Sequence, residues 1–170
     1  HVPLNDIAAL EAAVTPDPCP GMLAPIQGEG GVYPCDLYYL RAVRRLCDER
    51  DVLLVLDEVQ TGFYRTGPAF AHQAFGVVPD VMTLAKAMAN GLPIGAILAR
   101  GDVGDTFQPG DHGSTFGGGP VVCAAGRACV RALAAERLGE TALAMGEYLR
   151  MRLAHLAADT GAVRGGRDAG

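Results

Sequence analysis

Asp57 and Glu58 directly follow the run Val52-Leu-Leu-Val-Leu56. A continuously apolar, β-prone run without polar alternation is expected for a strand covered on both faces in a parallel sheet. Both carboxylates then fall at the carboxyl end of a buried strand, where open α/β sheets place their ligands. A carboxylate there has a partner: Asp57 faces a bound group, caps the next turn or pairs with an arginine. Lys86 is the second candidate. Average usage would put on the order of ten lysines in a chain of this size, yet it carries thirteen arginines and one lysine. A genome biased toward arginine accounts for the missing lysines but not for the amine kept at position 86. Its neighbours Ala85, Ala87, Met88 and Ala89 form an apolar setting, which favours a nucleophilic amine. A guanidinium stays protonated and cannot form an imine with an aldehyde. The alternative for Lys86 is a solvated surface lysine.

His112-Gly-Ser-Thr-Phe-Gly-Gly-Gly-Pro120 puts Ser114 and Thr115 among small residues just ahead of a helix start. Free amides and the helix dipole favour an anion there, a phosphate for example, although hydroxyls at such places also serve as ordinary caps. Gln27-Gly-Glu-Gly-Gly31 is a glycine-rich turn with one carboxylate, Glu29, and matches neither a P-loop nor a complete G-x-G-x-x-G. His72 and His112 lack metal-ligand spacing and read as loop or capping residues.

These groups need elements to hold them. Asp6 to Val14 carries Ile7, Leu10 and Val14 on one helical face, and the proline-rich stretch from Thr15 to Gly21 ends it. Met22 to Ile26 is a short apolar run. Asp36 to Arg50, with Leu37, Leu40, Val43 and Cys47 at three- to four-residue spacing, is an amphipathic helix ending at Asp51. After the Gln60 to Gly67 loop come a short helical piece, Ala69 to Phe75, and two strand candidates, Val81 to Leu84 and Ile94 to Leu98. Pro120 opens a helix to about Ala135, and another runs from Leu138 to about Ala158. Alternating units of this kind predict an α/β domain with a largely parallel sheet flanked by helices.

The chain has 170 residues, 49% hydrophobic and 19% charged, with a mean hydropathy of +0.19, enough to fill one core. A net charge of −5, with no basic block longer than Arg44-Arg45, argues against nucleic acid as a partner. No apolar stretch approaches the roughly 18 residues that a membrane span requires. Five cysteines without a C-x-x-C spacing argue against a zinc site and a disulfide framework, and fit a reducing, cytoplasmic setting. A start at His1 and an end at Gly170, just after Arg164-Gly-Gly-Arg167, suggest a fragment.

An imine-forming amine, a strand-end acid and a hydroxyl-lined anion site are together what a pyridoxal phosphate enzyme needs. From about Gly21 to Arg167 the chain also resembles the class III aminotransferases. Five ordered motifs carry the resemblance: Leu54-Val-Leu-Asp-Glu-Val-Gln-Thr-Gly62, Arg65-Thr-Gly67, Pro79-Asp-Val-Met-Thr-Leu-Ala-Lys86, Gly91-Leu-Pro-Ile-Gly95 and Gly113-Ser-Thr-Phe-Gly-Gly118. Phe70-Ala-His-Gln73 and Gly110-Asp-His-Gly-Ser-Thr-Phe116 are most similar to the acetylornithine-type members.

The resemblance implies fold type I. Residues 1–170 would form part of one large cofactor domain, with the link to a small C-terminal domain starting near 160–170. It also implies pyridoxal 5'-phosphate carried on Lys86, which shuttles the substrate proton, and Asp57 keeping the ring nitrogen protonated. Val59 would pack on the ring face, and Gln60 would hydrogen-bond its 3-oxygen. Thr115, together with Ser114, would reach the phosphate of a cofactor bound mainly by the other subunit of a homodimer. Glu29 would manage the arginine that receives the second substrate's carboxylate. Two positions depart from the family pattern: Ala24 stands where most relatives have Glu, and Gly119 where many have Asn. The phosphate turn, the stacking aromatic and the α-carboxylate arginine of relatives fall outside these residues. The expected reaction transfers an amino group from an ω-amino donor, N-acetylornithine first, to 2-oxoglutarate. Ornithine, 4-aminobutyrate and diamines are alternative donors, and a truncated non-catalytic remnant is the alternative to an enzyme. An unrelated nucleotide-binding domain is disfavoured because no phosphate loop follows any strand.

Overall fold

Leu40, Val43 and Cys47 recur along one face of Asp36–Arg50, and in the computed structural model that segment is helix α2 (Leu37–Arg50). The structure describes residues 1–15 and 19–161, so Pro16 to Pro18 of the proline-rich break, and the 162–170 part of the expected domain link, lie outside the described residues. Ahead of α2 come α1 (Ile7–Ala13), β1 (Gly21–Leu23), β2 (Ile26–Gln27) and β3 (Tyr33–Pro34). Asp6 caps α1, accepting a hydrogen bond from the Ala9 amide at 2.9 Å. The Met22–Ile26 run thus divides between two strands. β2 and β3 form an antiparallel hairpin, and the Gly28–Gly31 turn lies between them.

Asp51, in the left-handed region at φ 52°, stops α2 and turns the chain into β4 (Leu54–Asp57). Leu54 and Leu56 are fully buried against Leu40 and Val43 of α2. Val55 and Asp57 point the other way and are only half-buried, so the expected cover on both faces is complete on the α2 side alone. The sheet continues through α3 (His72–Phe75) to β5 (Val81–Leu84), and then to β6 (Ala96–Ala99) in the order β1-β4-β5-β6. β1, β4 and β5 are parallel, whereas β6 is antiparallel to β5. The link from β5 to β6 holds a single 3₁₀ turn, Lys86–Ala89, too little for the crossover that a parallel return requires. The chain then passes α4 (Gly101–Gly104) and reaches α5 (Pro120–Ala135), which has proline in its first turn, and α6 (Leu138–Thr160). Arg137 at φ 53° separates the last two helices, and Gly161 at φ 63° ends α6.

One ionic clamp joins these layers. Asp80, 4% exposed, accepts from the Leu54 amide at 2.7 Å and from Arg44 of α2 at 2.8 Å. It also pairs with Arg100, just beyond β6, at 2.8 Å. Burial pushes its carboxyl up, but the Leu54 amide, Arg44 and Arg100 outweigh burial and hold it below the usual carboxylate range. Its contribution to stability is therefore present above the ordinary Asp range and is lost as pH falls through the lowered value. Asp80→Asn leaves Arg44 without its buried counter-charge and should cost about 3 kcal/mol at neutral pH. Denaturant midpoints of both proteins across pH check this: the gap should close only at pH below the ordinary Asp range, and a gap independent of pH would contradict it.

Candidate active site

Because β4 and β5 run in parallel, their carboxyl ends open on the same edge of the sheet. Asp57 is the last residue of β4 and faces Thr83 in register. The ladder runs one bond further, from the Glu58 amide to the Thr83 carbonyl at 3.0 Å. Asp57 Oδ1 accepts from the Val59 amide at 2.9 Å, so the turn-capping reading of Asp57 holds for that oxygen. Lys86 follows β5 by two residues and has φ 47°, a left-handed backbone uncommon outside glycine. Helix α5 backs this turn, since the Cys129 thiol donates to the Ala87 carbonyl at 3.3 Å.

Three of the expected site residues meet. Gln60 Nε2 donates to Glu29 Oε1 at 3.0 Å, and Lys86 Nζ stands 4.0 Å from the same oxygen. The Gln60 side chain lies directly over Gly28, where a Cβ would fall 1.6 Å from its Oε1, so the hairpin turn must be glycine there for Gln60 to reach Glu29. Beside this cluster is a cavity of about 490 Å³ whose walls include Val32, Gln60, Arg65, Thr66 and Lys86. Val32 is β-branched and has φ 56°, so two left-handed non-glycine residues border one cavity, the kind of strain that concentrates at functional sites.

Glu58 holds the loop that forms one wall. Fully buried at 0% exposure, it accepts from the Thr61 hydroxyl, from the Ala71 amide at 3.0 Å and from the His72 amide at 2.8 Å. A carboxylate taken out of water needs such donors. Those two amides open α3, so one side chain caps α3 and ties the Gln60–Gly67 loop back to it. On the far side Gly139 of α6 abuts this loop so closely that a Cβ would lie 2.0 Å from the Gly67 carbonyl oxygen. His72 is structural, its Nδ1 lying 2.6 Å from the Val77 carbonyl.

Two expectations change, and three other residues take their places in the fold. The apolar neighbours of Lys86 in sequence do not enclose it: its side chain is 51% exposed and its nearest charged partner is Glu29. Ser114 and Thr115 are exposed and do not cap α5, whose N-cap is Gly119 without a side-chain bond; Ser114 Oγ instead accepts from the Gly117 amide at 2.9 Å, closing a local turn. Asn at position 119 would offer the cap that glycine lacks. Ala24 does not line the Lys86 cavity; its carbonyl accepts from the Cys35 thiol at 3.6 Å, and burial, with Asp36 nearby, pushes that thiol up to about 12. Asp57 and Val59 occupy the strand end leading to Gln60 but are not among the cavity's lining residues.

Sequence reasoning missed Arg65, Thr66 and Val32 as cavity residues. Arg65-Thr-Gly67 carried a signal only as a motif, and nothing in the type of Val32 announces a left-handed backbone. An amine, a carboxamide and the unpartnered Thr66 hydroxyl at the cavity, with the Asp57 carboxylate at the adjoining strand end, fit pyridoxal phosphate.

Comparison with known proteins agrees with this chemistry. The family model for aminotransferase class-III matches residues 2–170. The acetylornithine aminotransferase of Methanothermobacter thermautotrophicus is 51% identical over the whole chain, which covers 44% of that protein. The acetylornithine aminotransferase of Neisseria meningitidis is 48% identical over 95% of the chain and 41% of its own length. Among solved structures, the N-acetylornithine aminotransferase of Stenotrophomonas maltophilia matches with a TM-score of 0.87 and 41% identity, covering 98% of this chain and 43% of that one. Plasmodium falciparum ornithine delta-aminotransferase matches with a TM-score of 0.91 and 40% identity, over 98% of this chain and 44% of that one. The chain therefore spans less than half the length of the relatives it matches. With strand-end acid, cavity lysine and glutamine in place, it belongs to the class III aminotransferases, a pyridoxal-phosphate-dependent family.

Proposed function

We propose that the protein carrying this chain is an aminotransferase of the acetylornithine type. It moves the amino group of an ω-amino donor, N-acetylornithine first, to 2-oxoglutarate, using pyridoxal 5'-phosphate held at Lys86. The observation that carries this reading is that Lys86 and Gln60, both in contact with Glu29, line one cavity at the carboxyl ends of parallel strands. When bound, the cofactor supplies an electron sink that acidifies the donor's C–H bond. Lys86 Nζ is the group that takes and returns that proton, and its partial exposure leaves it room to move. Asp57, with Oδ1 fixed by the Val59 amide, presents Oδ2 as the anion that keeps the ring nitrogen protonated. Val59 packs on the ring face, Gln60 orients the ring through its amide, and Glu29 holds Gln60 and Lys86 in place until a substrate enters.

The same reading makes residues 1–170 part of one large cofactor domain of a homodimer in a reducing, cytoplasmic setting, with sites shared between subunits. Ser114 and Thr115, exposed on a glycine-rich segment away from their own chain's cavity, would then reach the partner's cofactor phosphate. Ornithine as the donor is the second reading, supported by the likeness to the Plasmodium ornithine delta-aminotransferase. Rates with N-acetylornithine and ornithine side by side separate the two.

Borohydride reduction of the cofactor-loaded protein, followed by peptide mapping, should place the pyridoxyl group on Lys86; label on another residue of a protein that turns over would refute the assignment. Asp57→Asn should lower the rate by several orders of magnitude, on the order of 4 kcal/mol, as when a preorganised charge is removed from a reacting centre. Steady-state kinetics test it, and a rate near wild type would reduce Asp57 to its turn-capping role. Mixing Lys86→Ala with Thr115→Ala subunits should restore about a quarter of the sites by random pairing. No recovered activity from two folded proteins would mean that each site is built within one chain.

A further inference from the structure

One hydroxyl in the sheet has a single polar neighbour. Thr83 of β5 pairs in register with Asp57 of β4 on one side and with Ile97 of β6 on the other. Residues paired in register present their side chains to the same face, and so do residues two apart along a strand. The neighbours of Thr83 on that face are therefore Val55, Asp57, Val81, Ile97 and Ala99. Of these only Asp57 carries a polar side chain. Thr83 Oγ1 is shut off from solvent and has no hydrogen-bond partner among the described residues, a state that calls for an explanation in a folded protein. Asp57 has an oxygen to match it. Oδ1 accepts from the Val59 amide at 2.9 Å, whereas Oδ2 receives no hydrogen bond among the described residues.

We propose that Thr83 is a positioning residue for Asp57: its hydroxyl donates to Oδ2 and, with the Val59 amide on Oδ1, fixes the plane of the carboxylate that faces the cofactor's ring nitrogen. This inference rests on the reading of Asp57 as the ring-nitrogen partner and adds the residue that aims it. Neighbouring strands lie about 5 Å apart, so one rotamer step of either side chain closes the bond. The hydroxyl and the ring nitrogen share Oδ2 without conflict, because a carboxylate oxygen has two lone pairs to offer. The intact protein carrying this chain is compared with Thr83→Val, which keeps the shape and β propensity of threonine, and with Thr83→Ser, which keeps the hydroxyl. Thr83→Val should weaken pyridoxal 5'-phosphate in equilibrium dialysis by about 10-fold, the low end for a hydrogen bond to a charged group, and Thr83→Ser should restore most of that loss. The nitrogen resonance of ring-labelled cofactor should move toward its unprotonated position in Thr83→Val. In an Asp57→Ala background the same change should add no further loss, since the two residues act as a unit. Without cofactor, Thr83→Val should melt no lower than wild type, because it removes a hydroxyl that bonds to nothing there. Thr83→Ala takes its place in the dialysis and resonance measurements if Thr83→Val misfolds. An equal loss in both Asp57 backgrounds overturns the proposal, as does weakened binding with an unmoved nitrogen resonance. A cofactor-free Thr83→Val protein that melts lower also overturns it, by giving the hydroxyl a structural partner. Asp57→Ala that binds the cofactor as tightly as wild type refutes the Asp57 reading itself, whereas loss in Asp57→Ala with none in Thr83→Val refutes the role of Thr83 alone.

Discussion

A carboxylate with no exposed surface must find donors inside the protein, and at Glu58 that requirement shapes everything around the site. Its donors are the Thr61 hydroxyl, three residues on, and the Ala71 and His72 amides, more than ten residues on. Meeting that need folds the intervening chain back on itself and starts α3 without any local capping residue, since the N-cap position is Ala71. The loop so closed carries Gln60, Arg65 and Thr66 to the cavity. One wall of the Lys86 cavity is thus set by an acid that is not itself among the cavity's lining residues.

The two adjacent acids divide their work by the two-residue period of the strand. Leu54, Leu56 and Glu58 share the buried face, whereas Val55 and Asp57 share the half-buried one. A one-residue slip of β4 would bury Asp57 and present Glu58. Asp80 opposes such a slip, because its side chain accepts the Leu54 amide while its own amide donates to the Leu54 carbonyl at 2.9 Å. The register that places Asp57 at the sheet edge is therefore fixed at the other end of the same strand, with Arg44 and Arg100 holding the clamp closed.

Much of this was legible in the residues. The spacing in Asp36–Arg50, the apolar run at Val52–Leu56 and Pro120 at a helix start each follow from local chemistry, and the structure places helices or strands there with shifts of one or two residues. The antiparallel return of β6 was not foreseen, because its cause is the lack of a helix between β5 and β6, which an alternating pattern of apolar runs does not reveal. Lys86 stood out by residue type alone, but its surroundings did not: sequence neighbours along a 3₁₀ turn point away from one another, and its ionic partner, Glu29, comes from a hairpin nearly sixty positions earlier. Ser114 and Thr115 carried a cap-like pattern, yet they lie too far ahead of Pro120 to reach the first amides of α5.

Glu29 and Lys86 connect the strain in the backbone to the chemistry. Lys86 at φ 47° and Val32 at φ 56° each carry a cost of about 1–3 kcal/mol relative to relaxed backbone. That cost persists only if the surroundings fix both residues. The hairpin of β2 and β3 fixes Val32, whose amide donates to the Gly28 carbonyl at 3.1 Å. For Lys86 the constraint comes from both sides, with β5 paired into the sheet up to Leu84, two residues before it, and α5 bonded to the Ala87 carbonyl after it. Neither constraint involves the amine itself. The side chain of Lys86 is consequently free to leave its long contact with Glu29 while the backbone that aims it stays in place.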